Sequence, residues 1–124
     1  MKELTLVAVA GAVGTLARYG LSNWVQQLGG EKFPWGTIVV NLIGCLLFGL
    51  VFALAEERQL ISARLRLVLL TGFMGAFTTF STYGFETAAL LRSEQWGIAL
   101  ANIAAQNVLG IGAVFLGMSL GRAL

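Results

Sequence analysis

The chain has few of the side chains on which most enzymes depend. Its 124 residues include no histidine, one cysteine and one proline. Without histidine, the commonest proton shuttle and metal ligand is missing. Cys45 alone can form neither a disulfide framework nor a metal cluster. Nothing in the sequence resembles a nucleophile–base pair, so we do not expect an enzyme.

Charge is also scarce. Charged residues make up 11% of the chain, whereas soluble domains carry about 25%. Eight basic and six acidic residues give a net charge of +2. This surplus is too small and too scattered to form a nucleic-acid surface. With 57% hydrophobic residues and a mean hydropathy of +0.82, the composition predicts a protein surrounded by membrane lipid.

Four apolar runs are each long enough to cross a bilayer, which takes about 20 residues. They predict a single all-α membrane domain over residues 1–124, with no room for a soluble domain. We expect a retained first helix rather than a cleaved signal peptide. Pro34 suits the first turn of the second helix. The predicted spans are 4–21, 35–55, 65–91 and 96–120, joined by loops in "QQLGGEKFP", "EERQLISARLR" and "RSEQ".

Basic residues give only a weak orientation signal. Three basic residues, counting Arg18, are assigned to the side of the first loop, and five to the opposite side. A bias this small favours a cytoplasmic N-terminus only slightly and would permit insertion in both orientations. It would allow an antiparallel dimer without requiring one. The five are Lys2, Arg58, Arg64, Arg66 and Arg122; the three are Lys32, Arg92 and Arg18.

Two charged residues fall inside the apolar runs and need a partner or a route to water. Arg18 comes late in the first run, so we expect it to reach the interface or to form a structural ion pair, rather than an anion site. Glu86 is the only acidic residue well inside a span. It could carry a proton or a cation, but a structural bond to Arg18 or to a helix end is the favoured interpretation.

Amides lie on two of the predicted helices. Asn41 shares one helical face with Thr37 and Gly44, and could equally bond a neighbouring helix or line a pore. On the fourth helix, a stripe of polar and small residues is formed by Asn102, Gln106 and Gly110. Asn107 lies on another face and needs a separate partner. Gly117 and Gly121 form a GxxxG pair, which is typical of helix packing.

The segment "GFMGAFTTFSTYGFE", residues 72–86, combines glycines, hydroxyl residues and aromatic rings inside an apolar run. Glycines and hydroxyls that compete for backbone hydrogen bonds predict a break in the third helix. Backbone groups freed at such a break can hold ions. Phe77, Phe80 and Tyr83 recur at intervals of three. They could pack in the core, or present their positive ring edges to an anion.

Three segments resemble the Fluc (CrcB-type) fluoride channel family: "GAVGTLARY", "GTIVVNLIG" and above all "TGFMGAFTTFSTYGFE". The resemblance covers essentially the whole chain. It implies an antiparallel, dual-topology homodimer in the bacterial inner membrane. Two fluoride pores at the subunit interface would export cytoplasmic fluoride passively.

The same resemblance implies roles for individual residues. Asn41 matches the pore asparagine, and Arg18 matches the arginine of the first helix. Phe80 and Tyr83 match a pair of rings that form a box around fluoride, with rings from both subunits. The second ring is usually phenylalanine. The further pore residues are Thr79, Ser81 and Thr82 from the motif, with Asn102 and Gln106 by position on the fourth-helix stripe. A structural sodium ion at the dimer centre would be held by the backbone carbonyls of Gly75 and Thr78.

The main alternative is a proton-coupled transporter. Exporters similar to the small multidrug resistance family rely on a glutamate within the first helix, where this chain has only Glu3 at the start. A fluoride/proton antiporter would need a titratable relay, for which Glu86 is the one candidate. A packing subunit without transport activity would explain the glycines, but not the hydroxyl and aromatic residues of the third helix.

Overall fold

The computed structural model describes residues 1–124, and nearly all of them are helical. Four helices are long and apolar enough to cross a membrane. We number these spans in chain order. Each contains more than the 20 residues that a bilayer requires, which confirms the predicted all-α membrane architecture. Their bounds are Lys2–Gly29, Trp35–Glu57, Ala63–Arg92 and Trp96–Ala123.

The first span is longer than the sequence predicted, because it takes in the start of the segment assigned to the first loop. It ends where Gly30 adopts a φ of 85°, a left-handed conformation that glycine accepts at little cost. The Gln26 amide then closes the loop, donating to the carbonyls of Gly30 and Phe33 and accepting from the Gly36 amide. The second span begins at Trp35, so Pro34 precedes its first turn rather than lying in it.

Glycines bring the second and fourth spans into close contact. A Cβ atom on Gly117 would overlap the carbonyl of Leu46, and one on Gly49 would overlap the carbonyl of Val114. The two backbones therefore approach each other across glycines contributed by both helices. The packing role predicted for the GxxxG pair is confirmed, and this contact fixes the height of the fourth span beside the second.

Ion pairs join the helix ends on one side of the bundle. Arg122 at the C-terminal end pairs with Glu57 at the end of the second span, and Arg64 lies 3.5 Å from Glu3 at the N-terminus. The N-terminus, the second loop and the C-terminus therefore share one side, as the charge count assumed. Arg18, however, lies in the middle of the first span, roughly 16 Å before its end. It should not be counted with the first loop.

The third span contains a local departure from helical geometry. Thr78 has φ −87° and ψ 156°, and Thr79 has φ −148° and ψ 108°, both in the extended region. Helix precedes them through Phe77 and resumes at Phe80. The axis of the span bends by 20°, so a break into two separately directed helices is not shown. The departure is confined to two residues.

Replacing Gly117 with alanine tests the close approach of the second and fourth spans. The new methyl group would meet backbone atoms of Leu46 and Leu50, which cannot rotate away. We expect a loss of stability of roughly 1–3 kcal/mol, seen as a lower midpoint of thermal unfolding in detergent. Gly112 on the same span faces open space. Gly112→Ala should be neutral or slightly stabilising, and equal losses in both variants would contradict the packing argument.

Candidate functional site

The extended pair in the third span redirects two backbone amides. In a continuous helix the Thr79 amide would donate to the carbonyl of Gly75; here it donates to Oδ1 of Asn41 at 2.8 Å. The Thr82 amide would donate to the carbonyl of Thr78, but donates to Oγ1 of Thr79 at 3.2 Å. Thr79 thus caps the helix that starts at Phe80. The Gly75 and Thr78 carbonyls lose their usual helical donors.

Those two carbonyls are the ones that the sequence resemblance linked to sodium. Carbonyl oxygens without a hydrogen-bond donor are suitable ligands for a hard cation within a membrane. The backbone of Gly75 and Thr78 therefore fits a sodium ion in its chemistry. The two lie three residues apart, so a complete coordination shell would need more oxygens than this pair supplies.

Asn41 is clamped onto the backbone of Thr79. Its Oδ1 accepts from the Thr79 amide, and its Nδ2 donates to the Thr79 carbonyl at 3.1 Å. An amide N–H can only donate and a carbonyl can only accept, so this pair of bonds fixes which way the Asn41 side chain is turned. Asn41 therefore makes the interhelical hydrogen bonds that were one of its two interpretations.

The orientation of Asn41 determines that of Gln106. The second Nδ2 hydrogen of Asn41 reaches the Gln106 side chain at 3.1 Å, where only Oε1 can accept it. The Nε2 group of Gln106 is consequently turned away from Asn41. It is buried and has no hydrogen-bond partner. A buried amino group with free hydrogens is costly unless something accepts them, so Gln106 is a strong candidate to bind an acceptor.

A cavity of about 380 Å³ opens beside these amides. No lysine, arginine, aspartate or glutamate lines it. It brings together the second, third and fourth spans, and its lining combines amides, hydroxyls, aromatic rings and small apolar residues. The lining residues are Asn41, Gly44, Cys45, Phe48, Thr78, Thr79, Phe80, Tyr83, Gln106, Asn107 and Val114.

Phe80 and Tyr83 meet edge to face at one wall of the cavity. Their ring centroids are 5.4 Å apart and the ring planes are inclined by 63°. Phe80 is 81% exposed, so a large part of it is left uncovered by its own chain. The two rings contact each other within one subunit, and the box formed around fluoride with rings from both subunits stays a prediction.

Thr79, Ser81 and Thr82 form a cluster of hydroxyl groups. Oγ1 of Thr79 contacts Oγ of Ser81 at 3.4 Å and donates to Oγ1 of Thr82 at 2.9 Å. Thr79 and Thr82, with Arg18, also line a second cavity of about 180 Å³. Thr79 thus belongs to both cavities and separates them. Ser81 lies at the exposed surface and lines neither cavity.

A bond between Glu86 and Arg18 was one of the structural bonds expected for Glu86, but the two side chains do not contact each other. Arg18 forms no ion pair, and its Nε is buried without a partner. Glu86 accepts a hydrogen bond from Oγ1 of Thr37, while its other oxygen is buried and unbonded. Glu86 therefore makes its structural bond to the second span, and the ion pair that was one of the two roles expected of Arg18 is not formed within this chain.

Asn102 lies away from the main cavity. It is completely buried and donates to Oγ1 of Thr87 at 3.0 Å, and Thr87 donates in turn to the carbonyl of Tyr83 at 2.8 Å. This chain of bonds ties the fourth span to the third. Asn102 and Gln106 share a stripe in sequence but contact different spans, so their side chains are not brought together.

Sequence reasoning missed Asn107 as a site residue. It donates to the hydroxyl of Tyr83 at 3.3 Å and lines the main cavity with Gln106. Both amides fall within the π-helical turn Ala105–Leu109, a wide turn of a kind frequent at functional sites. The sequence did indicate that Asn107 lies on a different helical face from Asn102 and Gln106 and needs a partner of its own. The sequence could not show that this partner was Tyr83.

Residues 5–118 match the family described as "CrcB-like protein, Camphor Resistance (CrcB)". The chain belongs to this family. Proteins named "Fluoride-specific ion channel FluC" are similar over nearly their whole length. That of Nitrosococcus oceani is 54% identical, covering 98% of this chain and 97% of the relative. That of Solidesulfovibrio magneticus is 53% identical, covering 98% of both. That of Sorangium cellulosum is 48% identical, covering 100% and 98%.

The family match confirms the resemblance drawn from the sequence motifs. Together with the four apolar helices, it makes this chain a multi-pass membrane protein of a channel family rather than an enzyme. The matched region, residues 5–118, contains the third-span motif and every residue that lines the main cavity.

Proposed function

We propose that this chain is a fluoride-selective channel of the bacterial inner membrane, which exports fluoride by passive, electrogenic permeation. The observation that carries the proposal is the uncharged cavity lined by the rings of Phe80 and Tyr83 and by Gln106, whose buried Nε2 group has no hydrogen-bond partner. The relatives of this chain are named as fluoride-specific channels, and these names supply the identity of the ion. The proton-coupled transporter is not favoured, because no carboxylate lines this cavity.

The chemistry of the cavity suits a small anion that must also leave. Fluoride is strongly hydrated, so close hydrogen-bond donors have to replace its water. Gln106 can donate without fixed charge, and the edges of Phe80 and Tyr83, which line the same cavity, carry partial positive charge. A lysine or arginine in the same place would hold the anion too tightly for fast release.

Under this proposal Asn41 acts mainly by orientation. Both of its amide hydrogens are engaged, one by Thr79 and one by Gln106. The bond to Gln106 is the one that could exchange for a passing anion, since the Thr79 bonds hold the bend of the third span. Fluoride would therefore pass between Asn41 and Gln106 as the hydrogen bond between these two side chains breaks and forms again.

We further propose two pores in an antiparallel homodimer. The support is the surface around Phe80, which its own chain leaves open beside the exposed hydroxyl of Ser81. Polar groups at membrane depth are normally covered by protein or lie against water rather than lipid. A second copy laid on this surface would close the cavity. Without Arg18 the basic residues divide five to two between the two sides, and the proposal requires that this bias still permit both orientations.

Within that dimer we propose that sodium binds the Gly75 and Thr78 carbonyls. One subunit offers a pair of freed oxygens, so two subunits related by symmetry would offer four. This arrangement would supply the further ligands that a single chain lacks. The ion would have a structural role and would stabilise the contact between subunits.

Fluoride efflux from liposomes containing the purified protein tests the channel. We expect rapid fluoride loss, read with an electrode, only after valinomycin lets potassium carry the balancing charge. Chloride should be retained. Fluoride loss that needs no valinomycin and follows an imposed pH gradient would indicate a proton-coupled exchanger instead. If well-folded protein released no fluoride, the proposed function would be wrong.

Gln106→Met tests the free amino group, because it keeps the length of the side chain but removes its donors. A hydrogen bond to a charged group is worth about 1.5–3 kcal/mol, so the half-saturating fluoride concentration should rise roughly tenfold or more. Gln27→Met is the matched control, since Gln27 is exposed and outside the cavity. An unchanged fluoride dependence in folded Gln106→Met would remove Gln106 from the pore.

Exchanging sodium for N-methylglucamine during purification tests the sodium site. Because a bound ion stabilises the state that binds it, we expect the thermal midpoint of the dimer to fall and to recover with sodium concentration. An organic cation of that size could not occupy a site between carbonyls. A midpoint that does not depend on sodium would count against the site.

A further inference from the structure

We infer that Asn107 is a positioning residue that turns the Tyr83 hydroxyl into a hydrogen-bond donor for the permeating anion. The inference deepens the proposed fluoride channel and rests on it. It starts from one contact, in which Nδ2 of Asn107 lies 3.3 Å from the Tyr83 hydroxyl oxygen. No other hydrogen bond involves that hydroxyl. What matters is which of the two groups gives the hydrogen.

The answer follows from a second contact of the same nitrogen. Nδ2 of Asn107 also lies 2.8 Å from the backbone carbonyl of Ile103. A carbonyl can only accept, so the atom facing it must be the amino group and not the amide oxygen. The hydrogens of this amino group then serve Ile103 and Tyr83. The Tyr83 oxygen accepts, and its own hydrogen is left for another acceptor.

The structure records no hydrogen bond donated by that hydroxyl. The amide of Asn41 is fully engaged, and the buried free group of Gln106 is itself a donor. Tyr83 and Gln106 line the same cavity. Two residues whose neutral donor groups have no recorded acceptor therefore line one cavity. A small anion would accept from both.

Asn107 also makes the phenol a better donor. A hydroxyl that accepts one hydrogen bond is polarised and gives its own hydrogen more readily. The bond to Ile103 locks the amide in the orientation that achieves this. A tyrosine without Asn107 could turn its hydrogen elsewhere or fill the passage as an inert ring. The role of Tyr83 therefore depends on a residue of another span.

A double-mutant cycle on fluoride efflux tests the coupling. Tyr83→Phe and Asn107→Leu should each raise the half-saturating fluoride concentration by about tenfold, as expected for a lost bond to a charged group. The double variant should be no worse than either single one, because the two residues act as a unit. Asn23→Leu is the matched control, since Asn23 is exposed and outside the cavity. Additive effects, or faster efflux with unchanged fluoride dependence in Tyr83→Phe, would overturn the inference.

Raman spectroscopy tests the hydrogen-bond direction without relying on transport. The tyrosine Fermi doublet reports whether a phenol donates or accepts, and Tyr19→Phe leaves Tyr83 as the only tyrosine. We expect an acceptor signature that Asn107→Leu abolishes and that fluoride shifts to the signature of a phenol that both accepts and donates. A donor signature without fluoride would overturn the inference. An acceptor signature in a protein that transports no fluoride would support the Asn107 contact while refuting the proposed channel.

Discussion

The site depends on the clamp between the Asn41 side chain and the backbone of Thr79. Within a membrane, a backbone amide and carbonyl released from a helix cost several kcal/mol if nothing else satisfies them. Asn41 satisfies both groups of Thr79 with one side chain. The extended step at Thr78 and Thr79 can therefore exist at membrane depth. Everything nearby follows from it, including the freed carbonyls of Gly75 and Thr78 and the orientation of Gln106.

Packing between the spans brings the parts of this site within reach. Gly44 lies one helical turn from Asn41, and a Cβ atom there would overlap the methyl group of Thr78. The second span can thus lie directly against the extended step. On its other side, Gly49 and Gly117 bring the fourth span close enough for Gln106 to bond Asn41. Small residues on the second span therefore set the dimensions of the cavity.

Hydropathy was sufficient to predict four membrane helices, because each span must satisfy its own backbone and shows this as a long apolar run. Hydropathy did not predict where the first helix ends. The chain there is polar, yet Gln26 bonds two carbonyls of the loop and the Gly36 amide of the second span, and so holds the helix to Gly29. The same error displaced Arg18, which lies mid-span rather than near an end. Local composition cannot reveal such long-range bonds.

The third-span motif was informative in the sequence because its residue types are improbable inside a helix in lipid. The sequence left Asn41 open between packing and pore lining, since an amide suits both. The structure shows how the amides are oriented. The Thr79 backbone fixes the orientation of the Asn41 side chain, and Asn41 fixes that of Gln106. Asn107 escaped prediction for a related reason. Its partner Tyr83 lies 24 positions earlier in the chain, and only the fold brings the two together.

Directed hydrogen bonds offer a way to bind an anion without charge. Arg18 is a cation in the middle of a span, yet it lines the second cavity, whereas Gln106 and Tyr83 line the main one. A fixed positive charge would attract fluoride strongly and also delay its departure. Free hydrogens on Gln106 and Tyr83 cost the empty protein something, because each is an unsatisfied donor. An anion that binds these donors offsets that cost, and the next donor along the pore can then bind the anion in turn. The free energy of binding at each position therefore stays small enough for the ion to move on.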